Sequence, residues 1–205
     1  MTPLLSPTYF GPIQWYQKLY RYPQVLIEQH ESFQKQTYRN RCLIATAQGI
    51  QALTVPVEHS DKIIISDHGN WRHLHWQAIT SAYGDSPFLE YYEDDLRPFF
   101  FERRWEYLFD YNWDICQKMC DLIDIHPKLT KTDKFVKNIH STEENPSQEP
   151  LIDFRDAIRP KKPVPDADFN PLPYYQVFQQ HHGFLPNLSI LDLLLNMGPE
   201  AIFYL

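Results

Sequence analysis

The stretch Leu4-Leu5-Ser6-Pro7-Thr8-Tyr9-Phe10-Gly11-Pro12-Ile13-Gln14-Trp15-Tyr16-Gln17-Lys18-Leu19-Tyr20-Arg21-Tyr22-Pro23-Gln24-Val25-Leu26-Ile27-Glu28 decides the fold class. Leu4–Ser6 is a short apolar run closed by Pro7, and from Pro12 to Tyr20 the residues Ile13, Tyr16, Gln17, Leu19 and Tyr20 recur at helical spacing. Gln24–Glu28 is a second apolar run, far enough from the first for a crossover helix to return the chain parallel to it. The stretch therefore predicts a βαβ unit.

Working outward, Cys42–Thr46 and Ile50–Val57 flank Ala47-Gln48-Gly49, a turn of hairpin length, and Lys62–Ser66 supplies another β-branched run. Between Asn70 and Tyr83, the residues Trp71, Leu74, His75, Ala78, Ile79 and Ala82 form an amphipathic helix stripe. Pro87 opens a second helix with the face Phe88, Tyr91, Tyr92 and Leu96, and Pro98 stops it. A third helix is expected over Glu102–Asp124, with Asn112 the polar residue in its stripe. Residues 137–173 carry seven prolines and predict an irregular arm, either a flexible loop or a strap anchored by Phe154, Ile158 and Phe169. Ser189 and Asp192 stand in capping-box spacing at the start of a last helix, and Ala201–Leu205 reads as a final strand after Gly198-Pro199. The expected architecture is one α/β domain over residues 1–205: a mixed β-sheet with packed helices and a proline-rich strap or loop before a C-terminal helix and strand.

The chain has 205 residues, 43% of them hydrophobic, and its 19 Lys and Arg against 26 Asp and Glu leave a net charge of −7. That balance disfavours phosphate backbones and anionic lipid, so no nucleic-acid partner is expected. No apolar run approaches the roughly 20 residues that span a bilayer, so no membrane insertion is expected either. Three cysteines without a Cys-x-x-Cys pair, and no basic flank on Met1–Pro7, predict a cytoplasmic protein. Six glycines at scattered positions write no nucleotide loop and no nucleophile elbow. His73 and His75 are two apart on a helix and cannot share a metal as residues four apart can, so no metal site is expected, and no cofactor is assigned.

The candidate site follows from local charge. From Ser32 through Val57 there is no Asp or Glu, while Lys35, Arg39 and Arg41 bring three positive charges just beyond the second strand. Ligands bind beyond the carboxyl ends of such strands, and arginine suits phosphate or carboxylate. Lys35, Arg39 and Arg41, with Asn40 between the arginines, are therefore candidate anion binders; the alternative pairs them with acidic residues such as Glu93, Asp94 and Asp95. Tyr9 and Trp71 are candidate pocket walls or core aromatics. Arg72 is either an anion contact or a surface arginine. His75 is the leading acid/base candidate, or else a core histidine satisfied by a polar neighbour. Asp192 is either a general base or a helix cap. Asn112 is either a buried hydrogen-bonding element or a ligand contact.

The stretches Ser6–Pro12, Tyr38–Arg41, Thr54–Val57, Asn70–Arg72 with His75, and Pro186–Leu194, taken in order and spacing, resemble the WbqC-like family of small bacterial proteins. The resemblance implies a place in O-antigen or other surface-polysaccharide biosynthesis, with transfer of an acyl or aminoacyl group to a sugar-linked intermediate. Here the proline-rich stretch replaces an extra helix and strand of longer members. Together, the residues and the resemblance lead to an expected small phosphorylated or nucleotide-linked sugar as ligand, and a transferase if the protein is an enzyme. The alternative is a non-catalytic partner protein of polysaccharide enzymes, for which the thirteen Tyr, thirteen Phe and five Trp are the supporting feature, and which a homo-oligomer in sedimentation would favour.

Overall fold

A computed structural model describes residues 1–59, 62–137 and 150–205, the side chain of His59 excepted. The βαβ unit is present: β1 (Thr2–Leu5), α1 (Ile13–Arg21) and β2 (Gln24–Ile27), with β1 and β2 parallel in the register Leu4 to Leu26 and Leu5 to Ile27. All four β1 residues are buried, as a strand covered on both faces should be. Pro3 has no N–H for a sheet, yet it is tolerated because pairing with β2 begins only at Leu4.

The hairpin is also as expected, with β3 (Arg41–Thr46) antiparallel to β4 (Gly49–Thr54), followed by a small second ribbon of β5 (Val57–His59) and β6 (Ile63–Ile65). The stripe beginning at Trp71 becomes α2 (Trp71–Tyr83), and beyond Pro87 lie α3 (Leu89–Leu96) and a short α4 (Pro98–Phe101). Pro98 thus ends one helix by opening the next at its first position, where its missing N–H has no intrahelical partner to lose. The long helix is shorter than its periodicity predicts: α5 spans Leu108–Leu122. Residues before it are extended because Glu106 O accepts from Ile65 N and Tyr107 bridges Ile64, so the β6 edge takes backbone groups that a helix would need.

After α5 come β7 (Lys128–Lys131) and β8 (Leu151–Asp153), which complete a four-stranded parallel sheet in the order β7-β2-β1-β8. The strand β8 corrects the expectation of an arm without regular structure. Its partner is the buried central strand, so Leu151–Asp153 reaches pairing that local sequence does not signal. The described part of the arm, 150–173, is an ordered strap; positions 138–149 of the arm lie outside the described residues. Phe154 and Ile158 are buried anchors, and Phe169 is half-buried. The strap is tied to α1 by the buried Lys18–Asp166 pair at 2.7 Å and by Gln14 Nε2 donating to Asp166 Oδ2 at 2.9 Å. This explains why seven consecutive residues of α1, Ile13–Leu19, are buried: the helix is covered nearly all round.

After the single turn α6 (Gln179–His182), α7 (Ile190–Met197), buried from Ile190 through Asn196, packs against α1, α2, α3 and β3 at the centre of the molecule. The final apolar run is a 3-10 helix, Gly198–Tyr204, and not a strand. Gly198 has φ of 57° and a Cβ there would lie 2.5 Å from the Phe88 ring, so only glycine makes the turn that redirects the chain.

Candidate functional site

In the sheet, the chain moves outward from β1 through β2 to β7 and then returns to the far side of β1 as β8. The carboxyl ends of open parallel strands at such a reversal are where α/β folds place ligands. Four segments meet there: Ser6–Thr8 after β1, Glu28–Phe33 after β2, Thr132–Val136 after β7 and Phe154–Arg159 after β8.

The segment after β2 is built by its charges. Glu28 is fully buried, and its carboxylate accepts from Thr132 Oγ1 at 2.9 Å, Val136 N at 2.9 Å and His30 N at 2.8 Å, with Arg155 Nη1 at 3.6 Å. A buried charge needs this many partners, and here they also join the ends of β2, β7 and β8. Arg155 is held in turn by Asp153 and by Val136 O, and Asp153 lifts its guanidinium above the ordinary value. Three residues after Glu28, the Glu31 carboxylate accepts from Ser6 Oγ at 2.7 Å. Arg39 donates to Ser32 O at 2.8 Å and Glu31 O at 3.0 Å, which pins this turn. Burial pulls the Arg39 guanidinium below its ordinary value, opposed by Glu31 and Glu28.

Two neighbouring cavities are lined by the segments after β1 and β2. A narrow crevice of about 20 Å³ lies between the segments after β1 and β8, with Ser6, Thr8, Arg39, Arg155 and Arg159 on its walls. A wider cleft of about 660 Å³ shares Pro7, Glu31 and Arg39 with it and continues past Phe33, Lys62, Tyr107, Phe109, Asp110 and Asn112. Small-molecule sites typically measure a few hundred to a thousand Å³, so the cleft is of ligand size while the crevice holds little more than a water. Lys62 Nζ lies 4.9 Å from the Tyr107 ring centre. Asn112, nearly fully buried, donates through Nδ2 to Arg39 O at 2.7 Å, and its Oδ1 has no hydrogen-bond partner among the described residues. Asn112 is thus a buried hydrogen-bonding element that holds the Arg39 backbone, and it also forms part of the cleft lining.

The structure brings few of the expected site residues to this cleft. Of Lys35, Arg39 and Arg41, Arg39 alone lines it. Lys35 is exposed on the loop, and Arg41 starts β3, where its Nε donates across the hairpin to Thr54 Oγ1 at 3.2 Å. The suggested acidic partners are also elsewhere: Arg39 pairs with Glu31 at 3.9 Å, and Asp95 pairs with Lys118. Asn40 bonds its own neighbourhood, donating to Val55 O at 2.8 Å.

Tyr9, Trp71 and His75 sit together in the aromatic core and do not wall the cleft. Tyr9 is fully buried, its hydroxyl 2.9 Å from His75 Nδ1 and its ring stacked on Tyr111. Burial lowers the His75 pKa to about 4, partly opposed by a hydrogen bond to the Thr54 backbone, so the imidazole is neutral near pH 7. Trp71 Nε1 donates to Ser66 O at 2.8 Å. Arg72 is buried, correcting the surface reading: its guanidinium lies 4.5 Å from the Trp71 ring centre and its Nε donates to Asp67 Oδ1 at 3.3 Å.

Asp192 is fully buried in the first turn of α7. Ser189 Oγ does cap α7, accepting from Leu191 N at 3.3 Å, but the Asp192 carboxylate accepts instead from Tyr174 at 2.5 Å, Tyr83 at 2.8 Å and Gln176 at 3.0 Å. Burial pushes its pKa up while these bonds oppose the rise. Among the described residues no group of three or more His, Cys, Asp or Glu is placed to hold a metal ion, and no helix is long and apolar enough to cross a membrane.

Sequence reasoning missed Ser6, Glu31, Lys62, Tyr107 and Phe109. Glu31 directly precedes the acid-free stretch and was the available signal; Lys62 and Tyr107 come to the cleft only because the β6 edge pairs with the residues before α5.

Fold and cleft define an open parallel α/β protein with a ligand-sized site at the carboxyl edge of its sheet. The chain belongs to the WbqC-like protein family, whose profile matches residues 6–159. Four of the five stretches that carry the resemblance fall inside that range, and Pro186–Leu194 falls beyond it. The chain is also similar to the uncharacterized protein Rv1507c of Mycobacterium tuberculosis, 28% identical over 203 residues that cover 89% of this chain and 87% of the relative. No solved structure matches it.

Proposed function

We propose that the carboxyl-edge cleft binds a small phosphorylated or nucleotide-linked sugar, in cytoplasmic steps of surface-polysaccharide assembly. The observation that carries the reading is one cleft of about 660 Å³ in which Arg39 and Lys62 stand beside the rings of Phe33, Tyr107 and Phe109. Cations supply contacts to phosphate, and aromatic faces pack against a sugar ring or base. His75 and Asp192 lie outside the cleft, so for the acyl transfer that the family resemblance implies, the candidate bases are the carboxylates of its wall, Glu31 and Asp110.

The test is a thermal-shift screen with UDP-glucose, UDP-N-acetylglucosamine, glucose 1-phosphate and inorganic phosphate, repeated with Lys62→Ala. A ligand at 100-fold over its Kd adds about 2.7 kcal/mol, a rise of roughly 5–10 °C for a chain of this length. A shift for a sugar phosphate or nucleotide sugar that shrinks in Lys62→Ala supports the reading. A flat screen removes it and favours the partner-protein alternative, for which exposed Tyr91, Phe101 and Phe203 are the supporting observation and sedimentation of a homo-oligomer the check.

A further inference from the structure

Glu28 and Glu31 lie three residues apart in one turn and differ in how far their carboxylates are satisfied. Glu28 is closed: three hydrogen-bond donors and Arg155 surround it. Glu31 is open. An ionised carboxylate has about four lone-pair sites, and among the described residues this one accepts a single hydrogen bond, from Ser6 Oγ. Its ion pair with Arg39 is loose, with Nη1 3.9 Å away, and the Arg155 guanidinium acts on it electrostatically from a greater distance. The Glu31 side chain is only 11% exposed, so water compensates it incompletely, yet it forms part of the cleft wall. A partly desolvated carboxylate with unfilled acceptor sites in a ligand-sized cleft is a receptor for a cationic donor.

The rest of the cleft points the same way. Asp110, exposed in the first turn of α5, adds a second carboxylate, and the formal charges of Glu31 and Asp110 offset those of Arg39 and Lys62. A purely anionic ligand meets as much repulsion as attraction from these four groups. A ligand carrying one charge of each sign can face Lys62 with its phosphate and Glu31 with its cation. The rings of Phe33, Tyr107 and Phe109 add flat apolar faces suited to the C–H face of a pyranose.

We infer that the cleft selects an amine-bearing phosphorylated sugar, with the Glu31 carboxylate receiving the ammonium group and Ser6 positioning that carboxylate. The inference rests on the cleft being the sugar-phosphate site proposed above. The same pair of charges occurs in small aminoalkyl phosphates, which lack the ring.

Equilibrium binding of the full chain to matched probes tests it: glucosamine 6-phosphate against glucose 6-phosphate and N-acetylglucosamine 6-phosphate, UDP-glucosamine against UDP-glucose and UDP-N-acetylglucosamine, and phosphoethanolamine as the ringless control. The expected result is at least tenfold tighter binding of the free amine within one sugar series, rising in favour of the amine as pH falls through its pKa. Glu31→Gln keeps the size and an acceptor for Ser6, and it should bring the free-amine and hydroxyl probes within about twofold of each other while the thermal midpoint of the unliganded protein stays within a few degrees. Ser6→Ala should keep the preference but weaken it. Binding without amine preference, a preference unchanged in Glu31→Gln, or tightest binding of phosphoethanolamine overturns the inference and leaves the cleft reading standing. If no sugar probe of either series binds, both fall together. Should Glu31→Gln fail to fold, Glu31→Asp retains the charge one methylene back and is expected to reduce the preference without abolishing it; an undiminished preference counts against the inference.

Discussion

Asp192 and Glu31 are both poorly accessible carboxylates, and their surroundings assign them opposite roles. Asp192 is enclosed by Tyr83, Tyr174 and Gln176, three donors brought to the centre of the molecule from α2 and from the segment between the strap and α6. Its acceptor sites are filled by the fold itself, so it holds α7 in place and has little left to offer a ligand. Glu31 lies at the sheet edge with one donor and an adjacent cleft. A charged residue becomes structural or functional according to how many of its bonds the fold closes, and neither residue type nor local sequence states that number.

The sharpest way to break the comparison is Asp192→Ala. It leaves the buried O–H groups of Tyr83 and Tyr174 without their acceptor, while Gln176 keeps its bonds to Leu185, so an unfolding titration should show a loss of at least about 3 kcal/mol. A loss under about 1 kcal/mol would falsify the closed-network account. Next comes Asp166→Ala, which leaves the Lys18 ammonium buried without its counter-charge and should cost about 3 kcal/mol. The double change Lys18→Met with Asp166→Leu should recover most of that loss, and limited proteolysis should report the strap loosened in the single variant and not in the double.

A smaller effect concerns pH. His75 is neutral in the folded protein down to about 4, whereas an unfolded histidine takes its proton near 6.5. Between those values the unfolded chain binds more protons, so stability falls as pH falls, by about 2 kcal/mol between pH 7 and pH 5 from this residue. Denaturation midpoints at the two pH values, measured on the natural chain and on His75→Gln, separate its share from that of the carboxylates; an equal pH dependence in both would contradict a neutral buried imidazole. The smallest effects belong to Lys35→Ala and Arg41→Ala. Both lie outside the cleft, so each should change stability by no more than about 0.5 kcal/mol and leave probe affinity unchanged. A large loss of affinity in either would restore the site suggested by the charge of the 32–57 stretch.

The βαβ unit, the β3–β4 hairpin and α2 were legible because each follows from local spacing: apolar periods of 2 or 3.6, and turn residues between them. The first six residues expected in the long helix were not, since Trp71-type stripes look the same whether the backbone is helical or, as at Glu106 and Tyr107, borrowed by a neighbouring strand. Nor was β8, whose three residues sit among prolines and gain their strand conformation from β1. Of the site, Arg39 and the edge it occupies were readable from charge and topology. His75, Tyr9, Trp71 and Arg72 were not separable from cleft residues in the sequence, which does not show that His75 meets the Tyr9 hydroxyl, Trp71 the Ser66 carbonyl and Arg72 the Asp67 carboxylate.

Composition, periodicity and turn chemistry, all properties of neighbouring residues, were enough to establish an α/β chain with a parallel unit at its start and to draw attention to Arg39 beyond the second strand. The return of β8 to the far side of β1, the pairing of Lys18 with Asp166, the closing of Asp192 and the opening of Glu31 were settled only in three dimensions. Each joins residues separated by 18 to 149 positions or depends on which donors arrive from such distances, and contacts of that range are selected by the burial and mutual satisfaction of many groups at once rather than by any local preference.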